Sequence, residues 1–285
     1  MKTLVRPARP ADKKQLMSFV RHVWGGHDYI PRVWDEWLKD RSGMMFVVEA
    51  DGIAVGMNRV RFLEDGSAWF EGARVRPEFR GMGLATMLGE KTMQVARDRG
   101  VRVFRLVSGS RNRLAHRQIA RMGFREASRM SVYVPGKGAR SSPAKEAALA
   151  TPGDLAKAIE IVRGSREFRL GSGVYWDSFA AKSLSPRMLE ELVRRRQVWL
   201  AGRSVAIANV GGEGGWAWKQ VCFLAGREDE CVRLVRHVFG LKTKSRASRR
   251  FAYVPQGSRI IGALRKAGFE RWSSLILFER PPAKG

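Results

Sequence analysis

Two stretches of this chain carry residue types and spacings that could do chemistry. The first is Val75-Arg76-Pro77-Glu78-Phe79-Arg80-Gly81-Met82-Gly83-Leu84-Ala85. An extended segment, Trp69 to Val75, runs into a turn holding Pro77 and two glycines. A helical pattern follows from about Gly83, with Leu84, Met87, Leu88, Lys91 and Val95 at helical spacing. Such a strand-to-helix turn leaves several N–H groups unpaired at the positive end of a helix dipole, which makes an anion site. Gly81 and Gly83 admit positive φ and let a phosphate approach the backbone, and Arg80 adds a forked cation. The second stretch, His22 to Leu38, holds aromatics, two histidines and three acids in few residues. Aromatics and acids together can hold an ammonium group. Trp34 and Trp37, three apart, read as one apolar helix face. His27, Asp28 and Tyr29 precede that helix and are the candidate substrate contacts.

The loop is not a dinucleotide fingerprint, because Met87 stands near the place of the third glycine. No Gly-Lys-Ser/Thr follows it, which excludes a nucleotide-triphosphate loop. Taken alone, it could also be a plain tight turn before a helix.

The elements that must position these residues read as one α/β unit over residues 4–134. Leu4-Val5-Arg6 is a short first strand, and Ala11 to Trp24 a helix facing inward with Leu16, Phe19, Val20 and Val23. Gly25-Gly26 breaks it, and Pro31 opens a second helix, Arg32 to Lys39. Met45 to Glu49, Ile53 to Leu63 and Ser67 to Val75 are three strands, with hairpin signals at Asp51-Gly52 and Asp65-Gly66. The helix after Gly83 ends at Arg99-Gly100. A buried-type strand Val101 to Val107, a helix Asn112 to Met122 and a strand Phe124 to Val134 complete the unit. Residues 136–153 are rich in Gly, Ser, Ala, Pro and Lys and read as a linker.

Beyond the linker the pattern partly repeats. Val198 to Leu200 and Ser204 to Val210 mirror the Met45 and Ile53 strands. Phe251 to Val254, Ser258 to Ala267 and Ser274 to Phe278 mirror the closing strand, helix and strand. In place of the glycine loop stands Val221-Cys222-Phe223-Leu224-Ala225-Gly226-Arg227-Glu228-Asp229-Glu230, shorter and with three carboxylates at the helix start. Carboxylates there suit the dipole but repel a pyrophosphate. The expected domains are therefore 1–135 with a cofactor site, a linker 136–153, and a degenerate second copy over 154–285.

The 285 residues and 44% hydrophobic content suit a folded protein of one or two domains. No apolar run approaches the length of a membrane span, and Met1 to Pro7 lacks the apolar core of a signal peptide. Only Cys222 and Cys231 occur, with no metal-ligand spacing, so no metal and a reduced, cytoplasmic setting are expected. The formal charge of +26 is spread over both halves. It would favour anionic ligands and non-specific nucleic acid without defining a site.

The glycine run resembles the acyl-CoA loop of the GCN5-related N-acetyltransferases, R/Q-x-x-G-x-G/A, with Arg80, Gly83 and Ala85 in the three fixed places. The resemblance extends over residues 4–134, through the order of elements and the closing Asn112…Ala115…Met122-Gly123-Phe124. It implies tandem GNAT-like folds, each a mixed, mostly antiparallel sheet flanked by helices. It also implies acetyl-CoA as co-substrate, held by Ala73, Arg74 and Val75 and by Arg80, Gly81, Met82, Gly83, Leu84, Ala85 and Thr86. An asparagine in this family lies near the cofactor, so Asn112 is either a cofactor contact or simply a helix cap. The segment around Trp34 and the Glu71–Val75 strand are loosely similar to the histidine N-acetyltransferase branch.

Acetyl transfer to an amine needs a held carbonyl, a donor for the oxyanion and a proton acceptor. The family's splayed strand supplies the first two, and here it is Glu71-Gly72-Ala73-Arg74-Val75. Gly72 inside it signals a bulge or a close backbone approach. Two-residue alternation would put Glu71 on the face of Ala73 and Val75. Glu71 is then a base and substrate contact, or else an ion-pair partner for an arginine. The tyrosine that many members carry seven residues after the asparagine is Ile119 here. His116, one turn earlier, could replace it as acid or could simply be solvated. The expected activity is N-acetyltransfer to a primary amine or peptide N-terminus by direct attack in a ternary complex. The alternative is a non-catalytic acyl-CoA sensor or a basic nucleic-acid-associated module. A homodimer is the base-rate expectation for assembly.

Overall fold

The computed structural model describes residues 1–142, 144–213, 216–243 and 248–281. Its elements run β1 (Thr3–Pro7), α1 (Asp12–Val20), α2 (Ile30–Lys39), β2 (Gly43–Ala50), β3 (Ile53–Phe62), β4 (Ala68–Val75), α3 (Leu84–Asp98), β5 (Phe104–Gly109), α4 (Arg113–Arg121) and β6 (Arg125–Pro135). Then follow β7 (Ala148–Leu149), α5 (Leu155–Gly164), α6 (Arg166–Leu170), β8 (Val174–Asp177), β9 (Ala180–Ser183), α7 (Pro186–Arg194), β10 (Val198–Ala201), β11 (Ser204–Glu213), β12 (Trp216–Ala225), α8 (Glu228–Gly240), β13 (Ser248–Pro255), α9 (Ile260–Lys266) and β14 (Phe269–Arg280). The fold is α/β, with mixed, mostly antiparallel strands and flanking helices.

Two compact units emerge. One comprises Met1–Val107, Asn112–Arg125 and Phe278–Gly285, the other Ser108–Arg111 and Glu126–Leu277. The chain thus does not divide at one point near residue 135. The last strand of the first repeat counts with the second unit, and the end of β14 with the first.

In the first unit β1-β2-β3-β4-β5 lie in that order. β1 to β4 are antiparallel, and β4 pairs parallel with β5. Alternating hydrophobics form the strands, and Asp51 and Gly52, both at positive φ, turn the β2–β3 hairpin. The α1 helix stops at Val20, short of the expected Trp24. A 3-10 turn over Val23–Gly26 follows, with Gly25 and Gly26 left-handed. The α2 helix begins two residues earlier than expected, at Ile30, with Pro31 in its first turn, where its missing N–H is harmless. Leu16, Phe19, Val20, Ile30 and Trp34 pack with Met45, Val47 and Met57 into one core. On α3 the buried stripe is Leu84, Leu88, Gly89, Thr92, Met93 and Ala96; Lys91 is exposed, so the face is rotated from the sequence expectation. Asn58 of β3 bonds the Thr92 hydroxyl at 2.9 Å on that face.

In the second unit the order is β14-β6-β13-β12-β11-β10-β7. The succession β10, β11, β12, α8, β13, α9, β14 repeats that of β2, β3, β4, α3, β5, α4, β6. The Gly/Ser/Ala/Pro-rich run contributes to this unit: Leu149 of β7 pairs with Trp199, and Ala147 is buried in its core. Near that run, His237 in the last turn of α8 is 7% exposed, and its Nδ1 accepts from the Ala144 N–H at 3.0 Å. The ring lies 4.4 Å from that of Trp199, and Nε2 is buried without an acceptor among the described residues. Burial lowers the His237 pKa, against the Ala144 bond. Its folded state therefore favours the neutral ring, so stability is lost as pH falls below the unfolded value of about 6.5. Thermal melts from pH 7.5 to 5 should show a steeper loss for the wild-type chain than for His237→Gln. Equal slopes would contradict this.

Candidate active site

The site is built on the second half of β4. Pairing of β4 with β5 runs from Ala68 to Phe70 against Phe104 to Leu106, so the strands part from Glu71 onward. On its other side β4 pairs Glu71 with Arg59 and Arg74 with Met57. Three steps along β4 match two along β3, which is a bulge at Gly72-Ala73. Gly72 adopts φ +70°, and a Cβ there would lie 2.7 Å from the Trp37 ring. Both readings of this glycine therefore hold: it forms a bulge and admits a close neighbour. Gly72→Ala is expected to lose about 1–3 kcal/mol of stability from the left-handed backbone alone, before the Trp37 ring is displaced. A denaturation midpoint equal to wild type would contradict this.

The bulge overturns the simple alternation. Arg59 and Met57 are two apart on β3, so their partners Glu71 and Arg74 share a face, and Glu71 does not share the face of Ala73 and Val75. Glu71 is paired with Arg59 through Oε1, and Arg61 stands 3.8 Å from the same oxygen. The ion-pair reading of Glu71 is thus realised. Arg59 also binds Asp40 through its other terminal nitrogen. Its side chain is 3% exposed and its guanidinium lies 4.8 Å from the Trp37 ring centroid. Burial works against ionised Asp40. The Ser42 N–H at 2.8 Å and hydroxyl at 2.9 Å, with the Arg59 and Arg61 charges, outweigh it and hold the pKa low.

The α1–α2 connection meets the same face. Asp28 is fully buried at its carboxylate, accepts from Arg74 Nε at 2.6 Å and caps α2 by accepting from the Ile30 N–H at 3.0 Å. The expected cofactor contact Arg74 therefore spends its guanidinium on Asp28 and offers a ligand only its backbone. Tyr29 is half-buried, 5.8 Å edge-on from Trp37, with Arg74 5.8 Å from its ring. Its pKa is pushed up to about 12 by burial and then by the Glu71 charge, so the phenol stays protonated. His27 is exposed. Trp34 is core, whereas Trp37 is half-buried against Gly72 and Arg59.

The glycine loop leaves Val75 as a 3-10 turn, Pro77–Phe79, and enters α3 at Leu84. Gly81 and Gly83 adopt φ +84° and +77°, and a Cβ on either would meet no atom within 4 Å. The space beside both is open to a ligand. Arg80 is exposed, and its Nε donates to the Val75 carbonyl at 3.2 Å, which fastens the loop to the strand end. The N–H groups of Thr86 and Met87 close on the Gly83 carbonyl, while those of Leu84 and Ala85 enter the helix with no acceptor inside it. Met82 is 52% exposed. A pyrophosphate fits such a crest of N–H groups.

On α4, Asn112 accepts from the Ala115 N–H at 3.2 Å, so the cap reading is realised in this structure. Ile119 is buried, and the His116 ring lies 5.2 Å from that of Phe278. In the second unit the corresponding turn is closed. A Cβ on Gly226 would lie 2.0 Å from Ser204 Oγ. Glu230 accepts from Ser204 Oγ at 2.6 Å and the Arg203 N–H at 3.0 Å, and Glu228 pairs with Lys266 at 2.8 Å. No cluster that could hold a metal occurs among the described residues. Arg59 and Asp40 escaped the sequence reading, and Trp37, expected on an apolar helix face with Trp34, instead lies against Gly72 and the Arg59 guanidinium. A basic residue at the β3 position facing Glu71 was a visible signal, but only the register could single it out among so many arginines.

Residues 13–124 match the family model described as Acetyltransferase (GNAT) family. It is similar to "Histidine N-acetyltransferase" of Xenopus tropicalis, 30% identical over 96 residues, covering 33% of this chain and 30% of that protein. It is also similar to "Probable N-acetyltransferase 16" of Homo sapiens, 24% identical over 238 residues, covering 73% of this chain and 64% of that protein. The chain thus spans less than two thirds of either curated relative. A solved GCN5-related N-acetyltransferase from Sphaerobacter thermophilus shares the fold, with a TM-score of 0.62 at 19% identity over 99% of this chain and 98% of that one.

Proposed function

We propose that the chain is an acetyl-CoA-dependent N-acetyltransferase with one cofactor site, acting on a primary amine in a ternary complex. The parted, bulged end of β4 leading into the open glycine loop at the start of α3 carries this reading. Acetyl-CoA would supply a thioester carbonyl as the acetyl donor. The backbone of Ala73, Arg74 and Val75 would lie along its pantetheine arm. Arg80, Gly81, Met82, Gly83, Leu84, Ala85 and Thr86 would hold its pyrophosphate, with one N–H of the strand facing the carbonyl oxygen. Glu71 would take the amine proton on Oε2, directly or through a water, since Oε1 is engaged by Arg59. Ile119 offers no proton, so the thiolate would leave as such or be protonated by solvent or His116. The Gly226 turn, closed by Ser204 and followed by Glu228, Asp229 and Glu230 in the first turn of α8, supports a second unit without a cofactor site.

The Xenopus tropicalis relative is named for histidine as its acceptor, and the Glu71 carboxylate, with half-buried Tyr29 and Trp37 beside it, suits a small cationic amine. A calorimetric titration with acetyl-CoA should show one site per chain. Thiol release with L-histidine, spermidine and a short peptide should then identify the acceptor. Absence of acetyl-CoA binding, or no thiol release alongside RNA binding of steep salt dependence, would overturn the reading in favour of the nucleic-acid module.

A further inference from the structure

We propose that Arg59 is a positioning residue, a single buried guanidinium that divides its charge between Glu71 and Asp40 and so fixes both the aim and the basicity of the proton acceptor. This rests on the transferase reading above. Arg59 joins three elements that the chain brings together: β3, on which it lies; the end of α2, through Asp40; and β4 immediately before its bulge, through Glu71. A fork of two terminal nitrogens reaches two carboxylates at once, which a lysine cannot do. Trp37 closes the other side. Its ring lies over the guanidinium and against Gly72, so the bulge, the arginine and α2 hold one another in place.

Asp40 is the less buried partner, with its side chain 35% exposed against 15% for Glu71. The two carboxylates share Arg59, with Arg61 3.8 Å from Glu71 Oε1 as a more distant second cation, and this sharing yields a signature that a scaffold role lacks. Loss of the cation makes a facing carboxylate hold its proton to higher pH, whereas loss of a competing carboxylate does the reverse.

The test is the pH profile of kcat/KM for acetyl transfer to L-histidine, or to spermidine or the peptide if the panel selects one. Arg59→Gln is expected to move the acid limb to higher pH by about one pH unit. Asp40→Asn, at the more exposed position, is expected to move it to lower pH. Arg59→Lys keeps the charge without the planar fork, so it should hold the limb near its wild-type place while recovering only part of the rate, and KM for acetyl-CoA should stay unchanged in all three. Arg105→Gln is the control. Arg105 is likewise buried between two carboxylates, Asp65 at 2.8 Å and Glu279 at 2.7 Å, so its loss should lower the melting temperature and leave the limb in place. Limbs that move in one direction, or not at all, in Arg59→Gln and Asp40→Asn overturn the proposal while the transferase reading stands. A wild-type chain that binds acetyl-CoA but transfers to no amine overturns both. If Arg59→Gln does not fold, Asp40→Asn decides: a limb moved to lower pH supports the proposal, and one moved to higher pH or unmoved overturns it.

Discussion

Glu71→Gln should lower kcat for acetyl transfer by roughly 10²–10⁴-fold, the usual contribution of a positioned proton acceptor. Acetyl-CoA should still bind the variant as it binds the wild-type chain. The reason is spatial. Glu71 shares its face of β4 with Arg74 and pairs with Arg59 of β3, whereas the glycine loop is tied to the strand through Arg80 and the Val75 carbonyl. The amide keeps the shape and can still accept from Arg59, so the fold should survive with a modest drop in melting temperature. Stopped-flow transfer rates and a titration of acetyl-CoA on the same preparation separate the two effects. If rate and affinity fell together, Glu71 would be a structural ion-pair partner and the proton acceptor would lie elsewhere.

Gly83→Val should cut acetyl-CoA affinity by a hundredfold or more, equivalent to about 2.7 kcal/mol. A valine at φ +77° strains the backbone, and its branched side chain would stand in the open space over which the first N–H groups of α3 point. Gly52→Val separates strain from occlusion. Gly52, at φ +81° in the β2–β3 turn, also has no atom within 4 Å of a Cβ. That variant should lose comparable stability, about 1–3 kcal/mol, and keep its affinity for acetyl-CoA. Similar affinities for both variants would mean that the glycine loop is only a turn.

Local signals were legible from residue order alone. Asp51-Gly52 turned where it should, Pro31 sat in a first helical turn, and the strand-Gly81-Gly83-helix sequence formed the open loop expected of it. These depend on a few neighbours and on backbone sterics. What escaped depends on partners distant in sequence. Gly72 signals a bulge in the sequence, but only the register of β4 against β3 shows that the extra residue turns Glu71 away from the face of Ala73 and Val75. Arg59 could not be told from its many fellow arginines until β3 was set against β4. The helices α5 and α7 and the β8–β9 hairpin lie outside the repeated strand, glycine-turn and helix signals.

The way the units share the chain bears on how the protein is made. A ribosome would release Met1 to Val107 and Asn112 to Arg125 early, yet the first unit also owns Phe278 onward. Until those last residues emerge, Arg105 lacks Glu279 and the Met122 carbonyl lacks Arg280 Nη1, which reaches it at 2.7 Å. The half that carries the glycine loop therefore completes these contacts only once Glu279 and Arg280 have been synthesised.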